Sequence, residues 1–248
     1  MNDFDGLAAL VTGAGSGIGA ATAAELLERG AQVAALDLDP AGAPDGCLRL
    51  SADLTDDEAV RDAVRSAAED LGGVDVLVNN AGIGAIGDVA ANEDDEWRRV
   101  LDVNLLGAIR VTRAALPYLR RSAHAAIVNT SSIVAVVGVP NRALYSATKG
   151  ALYSLTLAMA ADHVREGIRV NAVAPGTTDT PWIGRLLDTA PDPAAERAAL
   201  EARQAIGRLI TPDEVAHAIT YLASPRSGST TGVVLGVDGG MGTLRLQR

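Results

Sequence analysis

Short apolar runs rich in Val and Leu alternate along the chain with longer stretches of helical periodicity. The runs predict strands at Leu7–Thr12, Gln32–Asp37, Leu48–Ser51, Val74–Asn79, Ala125–Ser131, Ile168–Ala174 and Val233–Val237. Several are apolar throughout rather than alternating, the pattern of strands covered on both faces. Helical patterns lie between them at Ile18–Arg29, Asp56–Leu71, Glu93–Arg121, Arg142–Glu166 and Pro212–Leu222. The third is long enough for two helices or one bent helix, with Pro117 as a candidate kink or boundary. Strand and helix in regular alternation predict an α/β fold, with a doubly wound, seven-stranded parallel sheet flanked by helices. No internal repeat or linker interrupts it, so residues 1–248 read as a single domain. The least regular stretch, Thr177–Gly207, contains Pro181, Pro191 and Pro193. A stretch this long inside a compact domain reads as a functional loop or lid, with room for short helices.

Composition narrows the function classes. Apolar residues make up 48% of the chain but aromatics only 3%, so the core must be built from Ala, Val, Leu and Ile. A net charge of −10 argues against nucleic acid as a partner. It also counts against an acidic carrier protein. The single Cys47 excludes an internal disulfide and fits a reducing cytoplasm. The acidic start, Met1 to Asp5, does not read as a signal peptide, and no apolar run approaches a membrane span. His124, His163 and His217 are scattered, without metal-ligand spacing.

The first predicted turn reads Thr12-Gly13-Ala14-Gly15-Ser16-Gly17-Ile18-Gly19 and opens a helix. Glycines permit close backbone approach to a pyrophosphate, and a helix N-terminus offers it free N–H groups. A plain strand–turn–helix corner would look similar, so context must decide. The second strand ends at Asp37, whose carboxylate suits ribose hydroxyls and repels a 2′-phosphate. Leu38–Gly46 contains no Arg or Lys, which favours NAD over NADP. Asp53-Leu54 has two readings, a contact to the adenine edge or an N-cap for the next helix. Asn79-Asn80-Ala81-Gly82 ends the fourth strand, where a ligand crevice is expected, and also reads as an Asn-stabilised turn.

Candidate chemistry lies in the middle of the chain. Lys149 comes four residues after Tyr145, so the two share a helix face. Ser132 precedes that tyrosine by thirteen residues, at a strand end. A phenol with a pKa near 10 is a poor base until a nearby cation lowers it. A hydroxyl can then polarise the reacting oxygen. Alternation along the strand turns Ser131 to the opposite side. Asn104 is polar within an apolar helical stretch and reads as holding a water or backbone group near the lysine, or as an internal hydrogen bond. Isolated, Tyr-x-x-x-Lys is a common chance pattern; with the glycine turn it points to hydride transfer.

Taken together, these motifs resemble the short-chain dehydrogenase/reductase family over essentially the whole chain. Thr12 to Gly19 match its glycine motif, and Asn79 to Gly82 its Asn-Asn-Ala-Gly. Asn104, Ser132, Tyr145 and Lys149 match its catalytic quartet. Pro175-Gly176 with Thr180 match its Pro-Gly turn, and Asp238-Gly239-Gly240 its C-terminal signature. The resemblance implies a Rossmann fold, an NAD(P)-dependent alcohol–carbonyl interconversion and a homotetramer. It assigns cofactor binding to Gly13, Ser16, Gly17, Ile18, Gly19, Asp37, Asp53, Leu54, Asn80, Ala81, Gly82, Tyr145, Lys149, Pro175, Gly176, Thr178 and Thr180, the last two at the nicotinamide carboxamide. The stretches Gly138–Tyr145 and Thr177–Pro181 resemble a branch with 2-keto-3-deoxy-L-fuconate dehydrogenases and type 2 3-hydroxybutyrate dehydrogenases. That implies a small hydroxy acid or sugar acid bound by Ser132, Tyr145 and a carboxylate clamp at Arg142, one helical turn before the tyrosine. Arg185, Arg203 and Arg208 read as solvated. A carrier-linked 3-oxoacyl reductase, a neutral sugar or alcohol dehydrogenase, and a non-catalytic NAD-binding sensor are the alternatives.

Overall fold

The structure is a computed structural model that describes residues 2–246. Seven strands form one sheet: β1 (Ala8–Thr12), β2 (Gln32–Asp37), β3 (Leu48–Ser51), β4 (Val76–Asn79), β5 (Ala126–Thr130), β6 (Arg169–Pro175) and β7 (Val234–Val237). Their order is β3-β2-β1-β4-β5-β6-β7, and every pairing is parallel. The predicted strands are all present, with ends shifted by no more than two residues.

Successive strand residues serve opposite faces. Leu10 and Leu77 join Val60, Val64, Val111 and Met159 in a core under α2 (Asp57–Leu71), α4 (Gly107–Leu119) and α5 (Ala143–His163). Ala9, Val11, Val76 and Val78 pack on the other face against α1 (Gly17–Glu28) and α8 (Pro212–Ala223), through Ala23, Leu26, Val215 and Ile219. Burial on both faces is why these strands are apolar without alternation.

The long third helical pattern divides, but not at Pro117. Helix α3 (Asp94–Leu101) runs into one π-turn at Asp102–Leu106 and then into α4. Pro117 sits inside the last turn of α4 without ending it. The extra residue of a π-turn rotates the helix beyond it, and such turns are common at functional sites. Thr177–Gly207 also carries two helices, α6 (Pro181–Asp188) and α7 (Pro193–Ala202). Each begins with a proline, whose fixed φ and missing N–H suit a first helical position. Ile183, Leu187 and Leu200 meet Leu209 in a small core of their own, so this segment is a folded flap rather than a bare loop.

A buried polar ladder ties sheet to helices behind the site. Asn79 Nδ2 donates to Thr112 Oγ1 (3.0 Å) and to Asn129 Oδ1 (2.9 Å). Asn129 Nδ2 donates to Thr156 Oγ1 (2.8 Å). All four residues are buried. An Asn129→Leu variant strands Asn79 and Thr156 groups, and is expected to lower unfolding free energy by about 1–3 kcal/mol. Denaturant titration should show a lower midpoint at unchanged slope; an unchanged midpoint would discard the ladder as a stabilising element.

Candidate active site

Parallel strands bring their carboxyl ends to one edge, and the sheet order reverses between β1 and β4. A cleft of about 780 Å³ opens there. Every residue named from the sequence as a candidate lines it, except Gly19 and Asn104, which stand immediately behind.

At one end, β1 turns into α1. A methyl placed on Gly19 would collide with the Gly13 carbonyl oxygen, so only glycine fits. Ser16 is the N-cap of α1, makes no side-chain cap bond, and the first turn carries no acidic residue. The helix dipole and the free N–H groups therefore face the cleft uncompensated. Asp37 Oδ2 accepts from Gly15 N (2.8 Å) and Oδ1 from Asp39 N (3.1 Å). Each oxygen keeps a lone pair for a further donor. Arg49, on β3, is bound to Asp45 and to the Ala43 carbonyl. A dinucleotide fits this end.

Asp53 is not the N-cap of α2; Asp56 holds that place, accepting from Glu58 N and Ala59 N. Asp53 Oδ1 instead accepts from Thr55 N and Oγ1 at 2.9 and 2.8 Å, which holds its carboxyl below the usual range. Asn80 Nδ2 donates to the Thr12 carbonyl (3.1 Å), joining the two central strand ends. Thr178 is buried and bonds the Gly176 carbonyl, while Thr180 caps α6 and packs against Gly17. The turn after β6 therefore closes over the start of α1.

The other end carries the candidate chemistry. Tyr145 shares a hydrogen bond with Ser132, whose hydroxyl also accepts from Val134 N. Lys149 is 3% exposed, and its Nζ donates to the Thr130 carbonyl (2.8 Å) while standing 5.7 Å from the tyrosine ring centre. Burial lowers the lysine pKa to about 8. The phenol differs from the sequence expectation. Burial pushes its pKa up, and the opposing influences are the Ser132 hydrogen bond and the charge of Arg142, not the lysine. Ser131 does turn away, donating to the Lys149 carbonyl (2.9 Å).

Asn104 does not reach the cleft. Its Oδ1 accepts from Ile83 N (2.7 Å), and its Nδ2 donates to Ile83 O (2.9 Å) and Thr148 Oγ1 (3.2 Å). The π-turn aims this buried amide at the backbone after β4. Gly82 sits between Asn104 and Lys149, close to both. Asn104 is therefore a positioning residue that fixes the Ile83 wall.

Arg142 is half-buried at the start of α5. Among the described residues it bonds the Asn141 carbonyl (2.9 Å) and makes no ion pair. Burial and the neighbouring Arg203 hold its pKa down. Arg185 and Arg203 are exposed, as the sequence reading has them, and both stand on the lining of the cleft. Arg208 does not; it pairs with Glu214 (2.7 Å). Sequence reasoning missed Trp182, Ile183 and Leu200 of the flap, and Val134 and Val139 after Ser132. The available signal was a tryptophan beside Pro181 in a chain with two tryptophans. It also missed buried Gln204. Its amide, oriented to satisfy both neighbours, donates to Asp238 O (2.9 Å) and accepts from Thr177 N (2.9 Å).

A glycine-lined dinucleotide end joined to a Ser–Tyr–Lys end defines an oxidoreductase acting on CH–OH groups with a nicotinamide cofactor. Known proteins of similar sequence and structure agree. A family model described as Enoyl-(Acyl carrier protein) reductase matches residues 13–242. Cis-4-hydroxycyclohexanecarboxylate dehydrogenase of Sinomonas cyclohexanicum is 44% identical, covering 94% of this chain and 95% of the relative. 2-(S)-hydroxypropyl-CoM dehydrogenase 3 of Xanthobacter autotrophicus is 39% identical, covering 93% and 94%. The ligand-free aldohexose dehydrogenase of Thermoplasma acidophilum superposes with a TM-score of 0.93 at 32% identity, over 100% of this chain and 99% of that one. The chain belongs to the short-chain dehydrogenase/reductase family.

Lys149 is the only lysine in the chain. Its folded pKa of about 8 lies below the ordinary 10.5, so between those values the unfolded chain binds more protons. Stability gains from this group as pH rises through that window. Between pH 8 and 9 the gain is expected to approach ~1 kcal/mol, and Lys149→Met should abolish it. Denaturation at stepped pH measures the slope; equal slopes in both proteins would refute a buried, charged lysine.

Proposed function

We propose that the protein is an NAD-dependent dehydrogenase that interconverts a secondary alcohol and a ketone on a small hydroxy acid or sugar acid. The observation that carries the acid reading is the arginine set. Arg142, close to Tyr145 and Arg203, lines the cleft with Arg99, Arg185 and Arg203 in a protein with net charge −10, and among the described residues none of the four makes an ion pair within 4 Å. Among the described residues Arg29, Arg110, Arg197 and Arg208 are paired with carboxylates instead. The Arg142 guanidinium, which feels Glu196 without bonding it, stands beside an acid–base pair and suits a substrate carboxylate held by two parallel hydrogen bonds. The dehydrogenase of Sinomonas cyclohexanicum, by its name, acts on a hydroxycarboxylate, which supports the same reading.

Asp37 favours NAD, since its carboxylate accepts ribose hydroxyls and repels a 2′-phosphate. Gly13, Ser16, Gly17 and Ile18 would cradle the pyrophosphate. Asp53 and Leu54 would flank the adenine, and Pro175, Gly176, Thr178 and Thr180 the nicotinamide. Bound there, the cofactor supplies the hydride acceptor. Tyr145 takes the proton of the substrate hydroxyl during oxidation and returns it during reduction. Ser132 donates to the substrate oxygen and fixes it against the phenol. Lys149 would hold the nicotinamide ribose and keep a positive charge near the phenol. Assembly as a homotetramer fits the apolar side chains left exposed on the helices, Leu106 and Leu157 among them; the mass by light scattering decides it.

One assay series tests the reading. Wild-type protein should reduce NAD with a hydroxy acid faster than it reduces NADP. Because the phenol pKa is raised, oxidation should quicken as pH climbs above neutral and reduction should slow. Tyr145→Phe is expected to lose about 100-fold or more in kcat while still binding NAD. Arg142→Ala should raise KM for the acid about 10-fold or more, while a neutral alcohol keeps its KM and shares only the change in kcat that follows from the lost charge beside Tyr145. Full turnover by Tyr145→Phe sinks the mechanism; equal losses on acid and alcohol in Arg142→Ala sink the clamp.

A further inference from the structure

The walls around the reacting end are largely apolar. Ile83, Val134, Val139, Trp182, Ile183 and Leu200 line the cleft beyond Ser132 and Tyr145. Among the described residues lining this end, none is Asp, Glu, Asn, Gln or His; those that line the cleft lie at the nucleotide end. The backbone offers little instead. Ile83 N and O are both held by Asn104, and Val134 N by Ser132. Thr177 N and Oγ1 face Gln204. The flap's inner surface is apolar because Ile183 and Leu200 belong to its own small core. Trp182 adds a flat wall, its indole edge against Gly84. Arginine side chains and one indole N–H are prominent among the polar groups on the lining.

We infer that the substrate is a carboxylate on an otherwise unhydroxylated hydrocarbon skeleton, an aliphatic or alicyclic hydroxy acid rather than a sugar acid. This rests on the hydroxy-acid reading above and selects within it. A hydroxyl set against Ile83, Val134, Val139 or the face of Trp182 gives up water and finds no side-chain carboxylate or amide acceptor in return. Each such loss weakens binding on the order of 10-fold, so a polyhydroxylated acid falls about 100-fold or more behind. A plain methylene skeleton meets the dispersion contacts and area burial that these side chains offer. The arginines then read the carboxylate, and Ser132 with Tyr145 the one reacting oxygen.

The test compares matched six-membered rings. Binding of cyclohexanecarboxylate and of quinate, its tetrahydroxylated counterpart, is measured by titration against the protein–NADH complex. Turnover with NAD is measured for 4-hydroxycyclohexanecarboxylate, quinate, 4-methylcyclohexanol and inositol. The expected result is binding and turnover of the plain acids about 100-fold better than quinate. Trp182→Gln, which puts an amide on the wall, should narrow that ratio. Quinate binding as well as the plain acid, or neither acid binding, overturns the inference. If 4-methylcyclohexanol matches its acid, the carboxylate reading falls alone. Inositol against 4-methylcyclohexanol then decides the apolar wall, a better inositol rate overturning it.

Discussion

The hydrogen bond from Lys149 Nζ to the Thr130 carbonyl organises the reacting end of the molecule. An ammonium removed from water costs several kcal/mol unless it finds partners. This one finds the last carbonyl of β5, and the adjacent Ser131 hydroxyl returns the contact to the Lys149 carbonyl. Two bonds between neighbouring residues lock the strand end to the second turn of α5. Ser132 is the next residue along the strand, and Tyr145 lies one helical turn before the lysine. Their mutual geometry is therefore set by backbone elements rather than by flexible side chains. The same burial keeps the lysine pKa near 8, a cation held with little surplus.

The distribution of charge repeats that logic over the whole chain. Acidic residues outnumber basic ones, 31 to 21, and many arginines lie against carboxylates: Arg29 on Asp3, Arg110 on Asp102, Arg197 on Asp179 and Arg208 on Glu214. Arg99, Arg142, Arg185 and Arg203 make no such ion pair among the described residues, and all four line one cleft. Cations gathered on a concave wall raise the potential there inside an otherwise negative protein. The cost falls on Arg142, whose own pKa is lowered by burial and by the repulsion of Arg203.

The flap and the chain's end are joined through one buried amide. Gln204 comes after α7 and links Thr177, in the turn after β6, to Asp238, after β7. Asp238 in turn accepts from Gly240 N and Gly242 N at 2.9 Å each. The wall over the reacting end thus has a folded interior and polar moorings on both flanks.

The strands were legible in the sequence to within two residues, because a segment buried on both faces must be apolar at every position. So was the glycine turn, since a side chain at Gly19 would run into the Gly13 carbonyl. Ser132, Tyr145 and Lys149 were legible because their spacing maps directly onto a strand end and one helix face. The π-turn at Asp102–Leu106 was not legible, and Pro117 was a false boundary, because the turn exists to aim Asn104 at Ile83, a contact between segments about twenty residues apart. The Asn104 of the motif thereby became a support rather than a wall of the site. The cleft arginines were equally hidden. Local sequence sets where a charge sits on its helix, but whether it meets a carboxylate depends on which segments fold against it. The sequence by itself determined the sheet, the phosphate turn and the acid–base spacing, which are matters of local periodicity and sterics. Only the tertiary structure decided which polar groups remain unpartnered and which apolar walls face the reacting oxygen, since those are properties of segments brought together from across the whole chain.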